Sequence, residues 1–236
     1  MIKGIYTLAR SLEHRTKNID VIANNLANIN TTGYKREIPF SDYIDEFGQS
    51  EIRKISSQSQ GETILTSNPL DMAIYGKGFF AVKDENGNIE LTRDGRFKLS
   101  DEGFLVDANG KKVLGQHGVI NLEDTLLEKE SSIAVSSAGE IKLGNHLVDS
   151  FLILKVDSPE QLSRSGGSNF IPSDDNYTQA NENEFKISQG YLEQSNTNPI
   201  LEMESMIQLN KAYETSQKII ASLDQSLDMA NQIGKT

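Results

Sequence analysis

Two stretches of heptad-spaced apolar residues, one at each end of the chain, restrict its fold more than any other feature. In the first, Ile5, Leu8, Leu12, Ile19, Ile22, Leu26 and Ile29 recur at alternating intervals of three and four, with Arg15 at the missing step. In the second, Met206, Leu209, Tyr213, Ser216, Ile220, Leu223, Leu227 and Ala230 repeat the pattern. A 3.5-residue period sustained over about four heptads belongs to a helix that packs along another helix. The two stretches also complement each other in charge. Residues 1–40 carry Lys3, Arg10, Arg15, Lys17, Lys35 and Arg36 against Glu13, Asp20 and Glu37; residues 193–236 carry Lys211, Lys218 and Lys235 against Glu193, Glu202, Glu204, Glu214, Asp224 and Asp228. The sequence therefore predicts two long terminal helices paired as an antiparallel coiled coil.

Each helix has recognisable ends. The first is expected from about Ile2 to Ile29, where Thr31-Thr32-Gly33 breaks it and Gly33 is free to take a positive φ before Tyr34. The second has Asn198 as its N-cap, Pro199 at the first helical position, Glu202 and Glu204 near the positive end of the dipole, and Gly234 as a stop. Off the first seam, Ala9, Ala23 and Ala27 form a strip small enough for a further helix to approach closely. Asn18, Asn24, Asn25 and Asn28 are poor helix formers crowded into one helix. They read either as tolerated surface residues or as side chains that hydrogen-bond to neighbouring subunits. A pair of helices with one narrow seam is marginal alone, so both helices are expected to finish their burial on other copies or partners.

Between the helices the character changes twice. From Lys35 to Asn68 the period is lost; Phe40, Tyr43, Ile44 and Phe47 could anchor a short segment, and Ser50 to Gly61 reads as an extended linker. From Pro69 onward, turn dipeptides at Asn86-Gly87, Asp94-Gly95, Glu102-Gly103, Asn109-Gly110 and Ala138-Gly139 separate short alternating runs, the pattern of antiparallel hairpins. Ser158 to Ser195 is polar and punctuated, with room for one strand around Glu184 to Ser188. The predicted class is α+β: assembly helix 1–32, extended linker 33–68, antiparallel β domain 69–157, polar linker 158–197 and assembly helix 198–234.

Several kinds of chemistry are disfavoured. The formal charge of −11 opposes a phosphate backbone, so no nucleic-acid partner is expected. With no cysteine there is no disulfide or thiol chemistry. No run of apolar residues is long enough to insert in a membrane, and the uncharged stretch Gly4 to Ala9 is too short for a cleaved signal peptide. Gly76-Lys77-Gly78-Phe79-Phe80-Ala81 matches a dinucleotide-binding pattern, but β-rich residues follow where that site needs a helix. His14, His117 and His146 stand apart without ligand spacing, and Asp84-Glu85, Asp101-Glu102 and Asp174-Asp175 fall in turns. The expectation is a chain with no catalytic, cofactor or metal site.

Ala23-Asn24-Asn25-Leu26-Ala27-Asn28-Ile29-Asn30-Thr31-Thr32-Gly33-Tyr34, followed by Lys35, resembles the N-terminal signature of bacterial flagellar basal-body rod and hook proteins. Gly190 to Asn196 with Met203 to Glu214 resembles the C-terminal region of that family, and Gly76 to Phe80 with Leu91 to Phe97 resembles its β domain. Val113-Leu114-Gly115 with Gly118-Val119-Ile120 is more similar to the proximal rod type than to the distal rod or hook type. Leu8-Ala9-Arg10-Ser11-Leu12 departs from the small, glycine-containing stretch that many members carry.

The resemblance implies a structural subunit that self-assembles helically through its terminal helices, in a drive shaft spanning the periplasm and carrying torque from motor to hook. It further implies type III export without a cleaved signal. The implied partners are other copies, neighbouring rod and hook proteins, the export apparatus, and ring proteins around the rod. The expected assembly residues are Ile5, Leu8, Leu12, Ile19, Ile22, Asn24, Asn25, Leu26, Ala27, Asn28, Ile29, Gly33, Tyr34, Met206, Leu209, Tyr213, Ile220, Leu223 and Leu227. The competing reading is a soluble β-domain binding module on a helical stalk.

Overall fold

The computed structural model describes residues 2–39, 55–123, 133–144, 146–157, 162–172 and 177–233, with the backbone alone described for 2–5 and 230–233. The described chain falls into two units, a helical one holding residues 2–27, 37–39 and 198–233 and a β one holding the rest. Phe40, Tyr43, Ile44, Phe47 and Gly234, singled out in the sequence, lie outside the described residues.

The helical unit consists of α1 (Ile2–Ala27) and α2 (Pro199–Ile233). They lie against each other in opposite directions. Asn25, near the end of α1, donates to Glu202, near the start of α2, at 3.4 Å, while Thr7, Arg10, Ser11, His14, Arg15 and Asn18 line a groove with Leu209 farther along α2. The start of α2 follows from its capping chemistry. Asn198 Oδ1 accepts the N–H groups of Ile200 at 3.0 Å and Leu201 at 3.3 Å, and the Glu202 N–H closes the first helical turn on the Asn198 carbonyl at 3.0 Å. α1 stops at Ala27, short of the expected Ile29. Asn28 draws the next residues into a turn: its carbonyl accepts the Thr31 N–H and its Oδ1 accepts the Thr31 hydroxyl, both at 3.1 Å.

In the β unit, one antiparallel sheet runs in the order Ser163–Gly166, Asn169–Ile171, Ile89–Thr92, Phe79–Lys83, Lys112–Gly115, Leu105–Val106, Lys98–Leu99. Phe79–Lys83 is its centre and also pairs with Ile153–Val156, with Ile153 opposite Phe80. Ile133–Val135, Glu140–Leu143 and His146–Ser150 form a separate three-stranded sheet. Apolar residues alternate to the two faces of the central strand and seed two cores. Phe80 and Val82 enter one, with Phe97, Phe151 and Ile187, whereas Phe79 and Ala81 enter the other, with Leu91, Leu154 and Phe170. Phe80 meets Phe97 edge-on at 5.0 Å and Phe151 at 5.4 Å.

The hairpin turns stand where the dipeptides predict them, with one exception. Asp94-Gly95 makes no hairpin; Gly95 is required because a Cβ there would stand 1.8 Å from the Met72 carbonyl oxygen. Gly76-Lys77-Gly78 joins strand Met72–Gly76 to strand Phe79–Lys83, so the glycine pattern enters a strand and not a helix.

The expected polar linker 158–197 differs most from the reading of the sequence. Its described residues hold five strands: Ser163–Gly166, Asn169–Ile171, Tyr177–Gln179, Phe185–Gln189 and Tyr191–Glu193. Ser163–Gly166 and Asn169–Ile171 form a local hairpin, and Phe185–Gln189 stands where one strand was expected; the other pairings reach far along the chain, with Phe170 opposite Leu91, Ile187 opposite Ile74 and Leu192 opposite Ile64. Local composition does not register such pairings. The described part of the stretch 33–68 is likewise built in, with strand Thr63–Leu65 antiparallel to Tyr191–Glu193.

Candidate assembly interface

On α2, the expected seam is the least exposed part of the helix. Met206, Leu209, Tyr213, Ile220, Leu223 and Leu227 are half-buried and Ser216 is buried. The covering is partial, and a second apolar group at the start of the helix is uncovered: Ile200 is 72% exposed, and Leu201, Met203 and Ile207 are exposed with it.

On α1, the buried face is turned away from most of the apolar seam and shares only Ile22 with it among the described side chains. Asn18, Val21, Ile22 and Asn25 are buried, and Ser11, His14 and Arg15 are half-buried beside them. At 100° per residue this face is rotated by roughly a quarter turn from the line through Leu8, Leu12, Ile19 and Leu26. Those four side chains are half-buried on its flank, and Ile29, beyond the helix, is half-buried as well. Ile5 lies on α1, where only the backbone is described. Ala9, Ala23 and Ala27, the strip of small residues, are exposed, and so is Asn24.

The asparagines divide by role. Asn24 is exposed and Asn28 half-buried, but Asn25 is completely buried and bonded within its own unit. Its Oδ1 accepts the Glu37 N–H and its Nδ2 donates to the Glu37 carbonyl, both at 2.8 Å, so one side chain satisfies both backbone groups of a buried residue. Asn25 was expected at the assembly interface; within the chain it is bonded to Glu37 and Glu202.

Gly33 and Tyr34, also expected at the assembly interface, are buried within the chain. Gly33 has φ +66°, and a Cβ there would stand 2.3 Å from the Asp94 backbone nitrogen. Tyr34 is 2% exposed, with the Arg164 guanidinium 4.2 Å from its ring centre. Both are packed into the β unit and present no surface to a neighbour.

Lys35, 1% exposed, completes this inward-facing segment. Its Nζ donates to Glu193 Oε1 at 2.6 Å and to the Ser59 carbonyl at 2.9 Å. Glu193 Oε2 also accepts from Arg93 Nη1 at 3.2 Å, and Arg93 reaches the carbonyls of Ile74 and Gly76. Burial pushes the Lys35 ammonium below its ordinary pKa; Glu193 pulls it back up, while Arg93 deepens the depression. Burial likewise lowers Arg93, opposed by Glu193. A second buried carboxylate, Glu90, is raised by burial but is carried below its ordinary value by hydrogen bonds from Lys111, Ser165 and Asn169. Reading the sequence alone missed Lys35, Arg93, Glu193 and Arg164. The available signal was weak: a charged residue directly after a Gly-Tyr break, and an arginine following the apolar run of a strand.

Among the described residues no three His, Asp or Glu side chains converge on a possible metal position, and no helix is long and apolar enough to cross a membrane. His117 Nδ1 lies 2.8 Å from Asp149 Oδ1, an oxygen that also accepts the Ser150 N–H at 2.7 Å.

Three family descriptions match successive parts of the chain. Residues 5–35 match the flagella basal body rod protein description, residues 73–143 the D1 domain of flagellar hook protein FlgE/F/G, and residues 188–233 the C-terminal region of flagellar basal body rod FlgEFG proteins. The chain is 31% identical over 231 residues to the flagellar basal-body rod protein FlgF of Mesorhizobium japonicum, covering 93% of this chain and 91% of the relative. The chain belongs to the flagellar basal-body rod protein family. FlgG of Buchnera aphidicola subsp. Baizongia pistaciae is a further relative, 30% identical over 264 residues with 96% and 98% covered, as is FlgF of Rhizobium meliloti, 30% identical over 241 residues with 98% and 97% covered. Within this rod-family chain, the N-terminal match takes in α1 and the segment through Lys35, and the C-terminal match takes in Glu193 and α2.

Proposed function

We propose that this chain is a structural subunit of the flagellar basal-body rod, built into the drive shaft through its terminal helices. Family membership supports the rod role, and one observation carries the assembly reading. The seams of α1 and α2 are only half covered within the chain, while Ile200, Leu201, Met203 and Ile207 are bare. Apolar surface of this kind gains free energy by leaving water, at about 25 cal/mol per Å² buried. Other copies of the chain and neighbouring rod and hook proteins are the occupants that suit two long parallel-sided helices. In this reading the coiled-coil pairing is completed on assembly, and Leu8, Leu12, Ile19, Leu26, Ala9, Ala23, Ala27 and Asn24 face neighbours.

The proximal rod type is favoured over the distal type by alignment length. The match to FlgG of Buchnera aphidicola takes 264 positions to cover 96% of this chain, whereas the matches to FlgF of Mesorhizobium japonicum and Rhizobium meliloti cover 93% and 98% of it in 231 and 241 positions, with fewer gaps. Export by the type III apparatus without a cleaved signal, passage through the periplasm and contact with surrounding rings belong to the same reading.

The test is a strain lacking the chain, complemented with wild type or with Leu26→Asp. Wild type should restore motility and intact rods; Leu26→Asp should not enter the rod although its β unit stays folded. Motility with intact rods in the Leu26→Asp strain would remove the seam from the interface, and intact rods in the deletion strain would remove the chain from the rod. Density for the chain in isolated basal bodies would give its axial position and so distinguish proximal from distal.

A further inference from the structure

The Glu193 carboxylate joins stretches of chain that are far apart in sequence. Oε1 accepts from Lys35 Nζ at 2.6 Å and from the Gly61 N–H at 2.9 Å, and Oε2 accepts from Arg93 Nη1 at 3.2 Å. The carbonyl of the same residue accepts the Gly33 N–H at 2.8 Å. Close by, the Asn196 N–H donates to the Tyr34 carbonyl at 3.3 Å, and Asn196 Oδ1 accepts the Arg36 N–H at 2.6 Å. Asn196 Nδ2 donates to the carbonyls of Ser57 at 3.0 Å and Ser59 at 2.8 Å. Residues 33–36, 57–61 and 193–196 therefore form one bonded patch on the β unit, with three charged side chains buried beneath it.

The charge balance makes Glu193 the decisive member. Two cations share one anion, and the surplus positive charge is met by the carbonyls of Ser59, Ile74 and Gly76. Without the carboxylate, two like charges would sit out of water with only dipoles around them, which a low-dielectric interior does not tolerate. Expelling Lys35 to water is the ready escape, and it would take residues 33–36 with it. Lys35 and Glu193 are 158 positions apart, so the N-terminal segment cannot be buried until the chain past Glu193 is in place.

We propose that Glu193 is a positioning residue for rod incorporation, closing a buried clasp with Lys35 and Arg93 that holds the two stretches leading into the terminal helices side by side on the β unit. The inference rests on the rod-subunit reading above. It assigns the Gly33-Tyr34-Lys35 signature to this clasp and not to contacts between subunits.

Amide hydrogen exchange on the full chain tests it, with Glu193→Gln and Lys35→Met compared to wild type. Glu193→Gln should lose about a hundredfold or more of the protection at Gly33, Arg36 and Gly61, with Phe80 and Val82 unchanged. Lys35→Met keeps the one-to-one Arg93–Glu193 pair, and so still reports on the segment if Glu193→Gln fails to fold; it should lose protection at the same amides by a smaller factor. Lys35→Arg should preserve it. In complemented cells Glu193→Gln should be absent from rods while Lys35→Arg is incorporated.

Unchanged protection at Gly33, Arg36 and Gly61 would overturn the clasp, as would equal losses at Phe80 and Val82. Normal incorporation of Glu193→Gln would overturn the positioning role and leave the rod reading intact. Wild-type chain missing from rods would instead sink the rod reading, while the exchange data would still report on the clasp.

Discussion

The β unit and the helical unit use similar apolar side chains to different ends. In the β unit, Phe80, Val82, Leu91, Val113 and Phe170 are completely removed from solvent, and buried charges such as Lys35 and Glu90 have partners. In the helical unit, the leucines and isoleucines of both seams are mostly half-covered and the deepest positions of α1 include Asn18 and Asn25. The first unit has completed two closed cores within one chain, although Leu65, Leu147 and Ile171 stay exposed on its surface. The second has spent its best-packed face on polar, register-fixing groups and left apolar surface for something else, as a polar residue at a helix–helix contact gives up stability to specify geometry. A folded body with unfinished helices is what a subunit of a polymer requires.

The sharpest way to break this comparison is to truncate one large side chain in each unit. Phe80→Ala should cost about 3–5 kcal/mol in the urea unfolding of the β unit, because it removes a ring packed against Phe97 and Phe151. Leu223→Ala, at a half-covered position, should cost under about 1 kcal/mol in the isolated chain and yet impair incorporation into rods. Equal costs in the isolated chain would mean that the helices are already complete.

Asn25→Leu comes next. It strands the Glu37 N–H and carbonyl that Asn25 satisfies, an expected loss of about 2–3 kcal/mol read as lost exchange protection in α1. A neutral result would return Asn25 to the surface contacts. Asn198→Ala removes the N-cap of α2 and should lower the helix melting transition by about 1 kcal/mol, seen in far-UV circular dichroism.

The smallest effect concerns acid. Glu90 is held below its ordinary value of 4.5, so its contribution to stability is complete above about that pH and disappears as pH falls through its depressed folded-state value. The urea midpoint of the β unit should drop over that acidic range, and Lys111→Met should flatten this part of the slope. An identical slope in the variant would show that the Lys111 pairing does not govern it.

Much of the helical unit was legible in the sequence. The start of α2, its cap at Asn198 and its half-buried seam all follow from local periodicity and capping chemistry, which act between residues three or four apart. The β hairpins were legible for the same reason, since Asn86-Gly87 and Asn109-Gly110 select their own turns. Between 163 and 193 the strand at Phe185–Gln189 was legible, but Asn169–Ile171 and Tyr191–Glu193 were not, because each is held by a partner far away in sequence and carries too few apolar residues to announce itself. The rotated face of α1 was missed because apolar periodicity locates where water is disliked, whereas the buried face was decided by hydrogen bonds from Asn25 to Glu37 and Glu202.

The sequence by itself determined that two long helices flank a β body, and it carried the signature that links the chain to its family. Those properties reside in spacing and in local backbone preference, which short windows of residues contain. Only the tertiary structure decided that Gly33, Tyr34 and Lys35 turn inward, and that Lys35, Arg93 and Glu193 share one buried site. A charge is buried or exposed according to what the rest of the chain brings to it. For Lys35 the necessary partner is 158 residues away, beyond the reach of any local pattern.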